Sequence, residues 1–207
     1  KKKPIILSTG MNNISSIKKT VEVIQSYNCP LAILHCTSMY PTPYDKVRLG
    51  AIKTLREKFP SIPIGLSDHS LGIATSIAAI SLGACIIEKH FTIDTKWEGP
   101  DNIISIIPQE LEELIISSKH VWESLKDDAS VLKEEKPVMN FAYASVVSIA
   151  NISKGETFSL DNIWLKRPGT GLFLSKDFEK ILGSFAARDI KAGKQLSKGD
   201  ILNFAKN

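Results

Sequence analysis

The chain has 207 residues, 43% of them hydrophobic, enough for one large or two small globular domains with a real core. Its formal net charge is only +4, and the lysines are scattered instead of forming a stripe, which argues against a nucleic-acid partner. No apolar run approaches the ~20 residues that span a bilayer, and the basic start KKK leads only into PIIL, so neither a membrane span nor a signal peptide is expected.

PIILSTG (4–10) has a buried-strand pattern, and a helical stretch follows over about 13–27. LAILHCTS (31–38) is the next strand; beyond the turn YPTPY a helix is predicted near 45–59. IPIGLSDH (62–69) is the third strand, and its small-residue-rich helix, near 72–82, stops at Gly83. ACIIEKHFT (84–92) is the fourth, followed by a loop containing GPDN and a helix from about 108 to 125 opened by Pro108. Near-continuous apolar strands separated by helices predict a parallel sheet covered on both faces. Four β–α units fit an open doubly wound sheet or part of an eight-stranded barrel; a complete barrel needs about 250 residues and is excluded by length. Half a barrel would leave two strand edges open. Cys29, Cys36 and Cys85 form no CxxC pair and lie in apolar surroundings, so buried free thiols in a reducing cytosol are expected.

Past residue 125 the composition changes. SLKDDASVLKEEKP (124–137) is charged and poor in large apolar side chains, and a linker is placed at 126–140. The remainder, 141–207, carries an internal repeat: NISKGETFSLDNI (151–163) aligns with DIKAGKQLSKGDI (189–201), Ile152 with Ile190, Gly155 with Gly193, and Phe158 with Leu196. Each copy reads as a short strand, a glycine turn, a second short strand and a capped helical turn, giving a small, mostly β domain with pseudo-symmetry.

In a parallel β/α protein, sites form at the carboxyl ends of the strands, and the unusual polar residues fall there. These are Ser8-Thr9-Gly10, then Thr37-Ser38 with Tyr40, then Ser67-Asp68-His69, then Glu88-Lys89-His90. His69 and His90 would end neighbouring strands, each beside an acid. A lone strand-end histidine is more often a hydrogen-bonded structural residue; two at matching positions balance that against a metal or acid–base site, with Mn²⁺, Zn²⁺ or Fe²⁺ as the suited ions. His35, inside a strand, and His120, inside a helix, read as structural. By themselves GPDN is a turn, SMYPTPY is loop punctuation, and WLKRPG (164–169) is a solvated cationic surface.

Taken together, HCTSMYPTPYDKVRL, GLSDHS, GACIIEKHFT, the GPD loop and NIWLKRPGTG followed by ILG resemble the N-acetylneuraminate (sialic acid) synthase family, which includes the legionaminate and pseudaminate synthases. The terminal repeat resembles the antifreeze-like (SAF) domain of these enzymes. The resemblance implies the C-terminal half of a TIM barrel over 1–125 and the SAF domain over 141–207. It implies condensation of phosphoenolpyruvate with an N-acetylated hexosamine, releasing phosphate. His69 and His90 would hold a Mn²⁺ or Mg²⁺ ion. Glu88 and Asp101 would hold sugar hydroxyls, Glu88 counting with the two histidines as the catalytic set. Ser8, Ser38, Tyr40 and Ser67 would line the pocket. In the family homodimer the SAF domain caps the partner's barrel, so Arg167 would reach the sugar's N-acetyl group and Phe141 would line the same region. The first half of the barrel, with lysines that bind phosphate, is absent, so these residues alone are expected to be inactive and poorly stable. Within the family the KRPGTG and EKPVMNFAYAS stretches favour N-acetylmannosamine over a diacetamido-trideoxy sugar. Competing expectations are a non-catalytic carbohydrate- or protein-binding module and an aldolase-like or metal-hydrolase barrel using the same histidines.

Overall fold

The computed structural model describes residues 3–125 and 129–202. The chain divides into two compact units, Lys1–Asp127 and Asp128–Asn207.

In the first unit, strands β1 (Ile5–Ser8), β2 (Leu31–Cys36), β3 (Ile64–Asp68) and β4 (Ile87–Lys89) alternate with helices α1 (Ile14–Ser26), α2 (Gly50–Lys58), α3 (Ala74–Ser81) and α4 (Pro108–Ser124). The strands lie in chain order and all neighbours are parallel. Local chemistry sets the helix starts: Asn13 accepts the Ser16 amide at 3.0 Å ahead of α1, and Glu110 accepts the Ile107 amide at 3.0 Å ahead of α4, whose first residue is Pro108. Beyond β4, Phe91 bridges Ile106 in parallel.

Side-chain alternation gives the sheet two distinct faces. Ile33, Ile64, Leu66 and Ile87 pack with Ile17, Val21, Ile52, Leu55 and Ala79 into the core between sheet and helices. The opposite face carries Leu34, Cys36, Gly65, Ser67 and Glu88. β2 and β3 are almost wholly buried, whereas β1, at one edge, is largely exposed and β4, at the other, is half-buried. Ile6, on β1, is 57% exposed. Among the described residues β1 and β4 each have one strand neighbour, as expected at the edges of an incomplete barrel. All three cysteines are free; Cys36 is buried as expected, but Cys29 is half-buried and Cys85, which leads into edge strand β4, is exposed.

In the second unit, α5 (Lys136–Ala142) and a short 3-10 turn at Lys133–Glu135 occupy most of the segment expected to be a linker; its residues 126–128 lie outside the described residues. Strands β5 (Ser145–Ser148) and β6 (Ile163–Lys166) pair antiparallel, and α6 (Phe178–Ile181) follows. The internal repeat is built reciprocally. Ile152 and Ile190 exchange both backbone hydrogen bonds at 2.8 Å. Asn151 Oδ1 accepts the Ala192 amide and, in the matching place, Asp189 Oδ1 accepts the Lys154 amide. Gly155 and Gly193 share a φ of +83°, a left-handed turn that glycine adopts without strain. Phe158, Leu196, Ile163 and Ile201 fill one core. This reciprocity is that of an approximate two-fold axis. The strands expected within each copy are single bridges: Ile152 and Ile190 pair with each other, while the first copy otherwise bonds chiefly to residues 183–186, ahead of the second, and the second to residues 146–148, ahead of the first. Among the described residues no helix is long and apolar enough to cross a membrane.

Candidate active site

The register of β3 against β4 pairs Ser67 with Glu88 and Asp68 with Lys89, and the two pairs fall on opposite faces of the sheet. On the face away from the helices, the Ser67 hydroxyl donates to Glu88 Oε1 at 2.7 Å. One residue beyond these strands stand His69 and His90, their ring centroids 5.3 Å apart and their planes at 57°. The Tyr40 ring lies 4.2 Å from that of His69 and meets His90 edge-on at 6.0 Å. Partial burial, then the charges of Cys36, Asp101 and Glu88, raise the Tyr40 hydroxyl above its ordinary value, so it stays a neutral donor at physiological pH.

His69 Nδ1 is 3.0 Å from the Thr37 carbonyl, and its own carbonyl accepts the Thr42 amide at 2.9 Å. A neutral imidazole donating from Nδ1 keeps its lone pair on Nε2, the arrangement of a metal-ligating histidine. Cys36 Sγ lies 3.8 Å from the same Nδ1. His90 Nδ1 is 3.7 Å from Asp101 Oδ2, beyond hydrogen-bonding distance. Among the described residues no group of three His, Cys, Asp or Glu side chains is arranged to hold a metal. Two imidazoles with ring centroids 5.3 Å apart nevertheless fit a divalent ion that keeps its remaining positions for water or substrate oxygens.

On the helix side, away from the histidines, stand Asp68 and Lys89, which the sequence places among the strand-end polar residues. Asp68 Oδ2 accepts hydrogen bonds from Thr75 Oγ1 and Ser76 Oγ, both at 2.7 Å, and from Lys89 Nζ at 3.2 Å. Its Oδ1 accepts the Ser70 amide at 2.9 Å, and Lys89 Nζ also donates to the Ser70 carbonyl. The Lys89 and Asp68 side chains are 3% and 1% exposed. Burial works against the Asp68 carboxylate, but the Ser70 and Ser76 hydrogen bonds, the Lys89 charge and Thr75 together hold it below the usual carboxylate range. The pair thus ties β3, β4 and the first turn of α3 together directly beneath the two histidines. Strand alternation was the available signal: charges at 68 and 89 fall on the covered face, where they need a partner.

Of the residues anticipated from sequence, Tyr40, Ser67, His69, Glu88, His90 and Asp101 are gathered here. Ser38 is linked to them through Cys36, whose Sγ is 4.0 Å from its hydroxyl. The Gly10 backbone passes so close that a Cβ there would sit 2.1 Å from Ser38 Oγ. Ser8 ends β1, two strands away from β3, and is exposed. Phe141, on α5, and Arg167, just after β6, belong to the second unit; both are exposed. His35 is buried with Nε2 2.7 Å from the Val47 carbonyl, and burial lowers its pKa, as befits a structural, neutral ring.

Comparison with known proteins covers both units. The NeuB family model matches residues 1–130, and the SAF domain model matches residues 143–202. An uncharacterized protein of Methanocaldococcus jannaschii is 45% identical over 172 residues, covering 82% of this chain and 51% of its own length. The N,N'-diacetyllegionaminic acid synthase of Campylobacter jejuni is 38% identical over 193 residues, covering 91% of this chain and 57% of its own. Among solved structures, the N-acetylneuraminic acid (sialic acid) synthetase of Leptospira borgpetersenii superposes with a TM-score of 0.60 at 36% identity, over 65% of this chain and 47% of that one. The chain spans about half the length of the relatives it matches.

Proposed function

Since the chain belongs to the NeuB family, with a half-barrel of parallel strands followed by a small β SAF domain, we propose that it forms the metal-binding half of a synthase that condenses phosphoenolpyruvate with an acetamido sugar and releases phosphate. The observation that carries this reading is the juxtaposition of the His69 and His90 rings, with the Nδ1 of His69 already engaged by a backbone carbonyl. A Mn²⁺ or Mg²⁺ ion held by these two residues would supply Lewis-acid polarisation of the open-chain sugar aldehyde.

The chain's own groups do the rest. Thr37 fixes the tautomer and ring position of His69. Glu88, oriented by the Ser67 hydroxyl, and Asp101 accept hydrogen bonds from sugar hydroxyls, placing the aldehyde carbon for attack by the enol carbon of phosphoenolpyruvate. Tyr40 walls the site beside both imidazoles. Ser8 and Ser38 line the phosphate side, which needs further cationic residues from the preceding half of the barrel. In a homodimer the SAF domain of one subunit caps the site of the other. There the Arg167 guanidinium meets the acyl-amino group and Phe141 excludes water. Both side chains suit this, being exposed in their own unit, with Arg167 in no ion pair among the described residues.

N-acetylmannosamine is the first substrate to test, on the KRPGTG and EKPVMNFAYAS stretches. The 38% identity to a diacetyllegionaminic acid synthase favours, as a second reading, a 2,4-diacetamido-trideoxyhexose. Incubating the full-length enzyme with phosphoenolpyruvate and each sugar, then weighing the product by mass spectrometry, separates the two. Phosphate release that continues unchanged in chelator would overturn the metal assignment. No product from any acetamido sugar would point to a binding module instead.

A further inference from the structure

The SAF unit departs from its own symmetry around Ser145. Ser145 is fully buried, and its hydroxyl donates to the Pro168 carbonyl at 2.8 Å while accepting the Gly171 amide at 2.9 Å. The Gln195 side-chain nitrogen lies 3.1 Å from the same Pro168 carbonyl, 3.2 Å from Thr170 Oγ1 and 3.4 Å from Ser145 Oγ, three acceptors for its two hydrogens. The Asn140 carbonyl accepts the Gly169 amide at 2.8 Å. The turn is also pressed onto the chain leading into β5: a Cβ at Gly169 would sit 2.4 Å from Tyr143 Cβ, and one at Gly171 would sit 2.8 Å from Ser145 Cβ.

The repeat makes this clamp informative. The counterpart of Gln195 in the first copy is Thr157, and the counterpart of Ser145 in the second is Gly183. Gly183 has no hydroxyl, and Thr157 has a single donor on a shorter side chain where the Gln195 amide has two. Among the described residues the clamp is seen on one side of the approximate two-fold axis, and the turn it holds begins directly after Arg167. Holding the domain together does not require it, because the bonds that join the two copies are present on both sides of the axis.

We infer that Ser145 and Gln195 are positioning residues for Arg167: by locking the turn 168–171 they fix the backbone from which the guanidinium reaches the acyl-amino group of the sugar. This rests on the reading of Arg167 given above. A bidentate cation on a loose turn would lose affinity to ordering of the loop; on a clamped turn that cost is met before the sugar arrives.

The test is steady-state kinetics on the full-length synthase with Gln195→Ala, Ser145→Ala, Arg167→Ala and the Gln195→Ala/Arg167→Ala double variant. Gln195→Ala is expected to raise KM for the sugar about five- to tenfold, the worth of one or two hydrogen bonds, with KM for phosphoenolpyruvate and the thermal midpoint unchanged. In the Arg167→Ala background it should add nothing, because it acts through the arginine. Ser145→Ala should raise the sugar KM in the same way and, because a buried hydroxyl with two hydrogen bonds is lost, also lower the thermal midpoint, and each variant should speed exchange of the Gly171 amide. An unchanged sugar KM in Gln195→Ala while Arg167→Ala raises it, or effects that simply multiply in the double variant, overturns the inference and leaves the role of Arg167 standing. If Arg167→Ala itself leaves sugar KM unchanged, the reading of the arginine fails and the inference with it.

Discussion

His69 owes its protonation pattern to a backbone carbonyl, that of Thr37, which no side-chain substitution removes. Replacing His69 or His90 by alanine should therefore cut divalent-metal affinity by more than about 100-fold, above what loss of an outer-shell partner costs, as read by calorimetric titration of Mn²⁺ into the full-length protein. Beneath the histidines, Lys89→Met would strand the Asp68 carboxylate without its cation, and a loss of about 3 kcal/mol of stability is expected from denaturant unfolding. Adding Asp68→Asn should restore part of that, since an uncharged amide keeps acceptor capacity for Thr75 and Ser76. The pH dependence follows from direction alone. Asp68 and Asp200 are both held below the usual carboxylate range, Asp200 because the Ser197 and Arg188 hydrogen bonds outweigh its burial. A lowered native value gives stability that is complete above the unfolded pKa of about 3.9 and disappears as pH falls through the native one. Acid titration followed by circular dichroism should thus show loss of structure below about pH 4, with Asp200→Asn flattening the response of the SAF unit.

Among elements, the four β–α units were legible because buried parallel strands carry an unbroken apolar signal, and glycine and proline mark where the helices stop and start. What stayed hidden was which side of the sheet is covered: alternation separates Asp68 from His69 and Lys89 from His90, but a continuous apolar run does not say which of the two faces the helices take. Asp68 and Lys89 therefore stand among the strand-end polar residues in the sequence, while the register turns them to the helices. Composition alone, which places a linker at 126–140, does not show α5 for another reason: the helix is short and mostly exposed, and it opens at the end of the charged run KEEK. Gly65 shows the tightness of the central strands. A Cβ there would lie 2.3 Å from the Ile86 carbonyl and 2.5 Å from Leu34 Cδ2, so Gly65→Ala should destabilise the first unit by about 2 kcal/mol through overpacking, measured as a lowered thermal midpoint.

For the molecule as a whole, the two edge strands of the first sheet set the expectation for activity. Four strands supply two imidazoles and two carboxylates but only part of a phosphate site, so these 207 residues alone are expected to give no phosphate release from phosphoenolpyruvate and sugar. Adding the preceding half of the barrel in trans should restore turnover if the halves can close on each other; a phosphate assay on the mixture checks it. The reciprocal repeat of the SAF unit carries a different consequence, in time. Ile152 pairs with Ile190, and the Gly155 and Gly193 amides bond to the Ala186 and Ser148 carbonyls, so the bonds that join the unit cross long stretches of sequence, beside local turns such as Glu156 to Ser153 and Asp200 to Ser197. Such a unit gains little until both copies meet. It should acquire its structure in one concerted, comparatively slow step, and a ribosome must finish the whole of it before any of it holds.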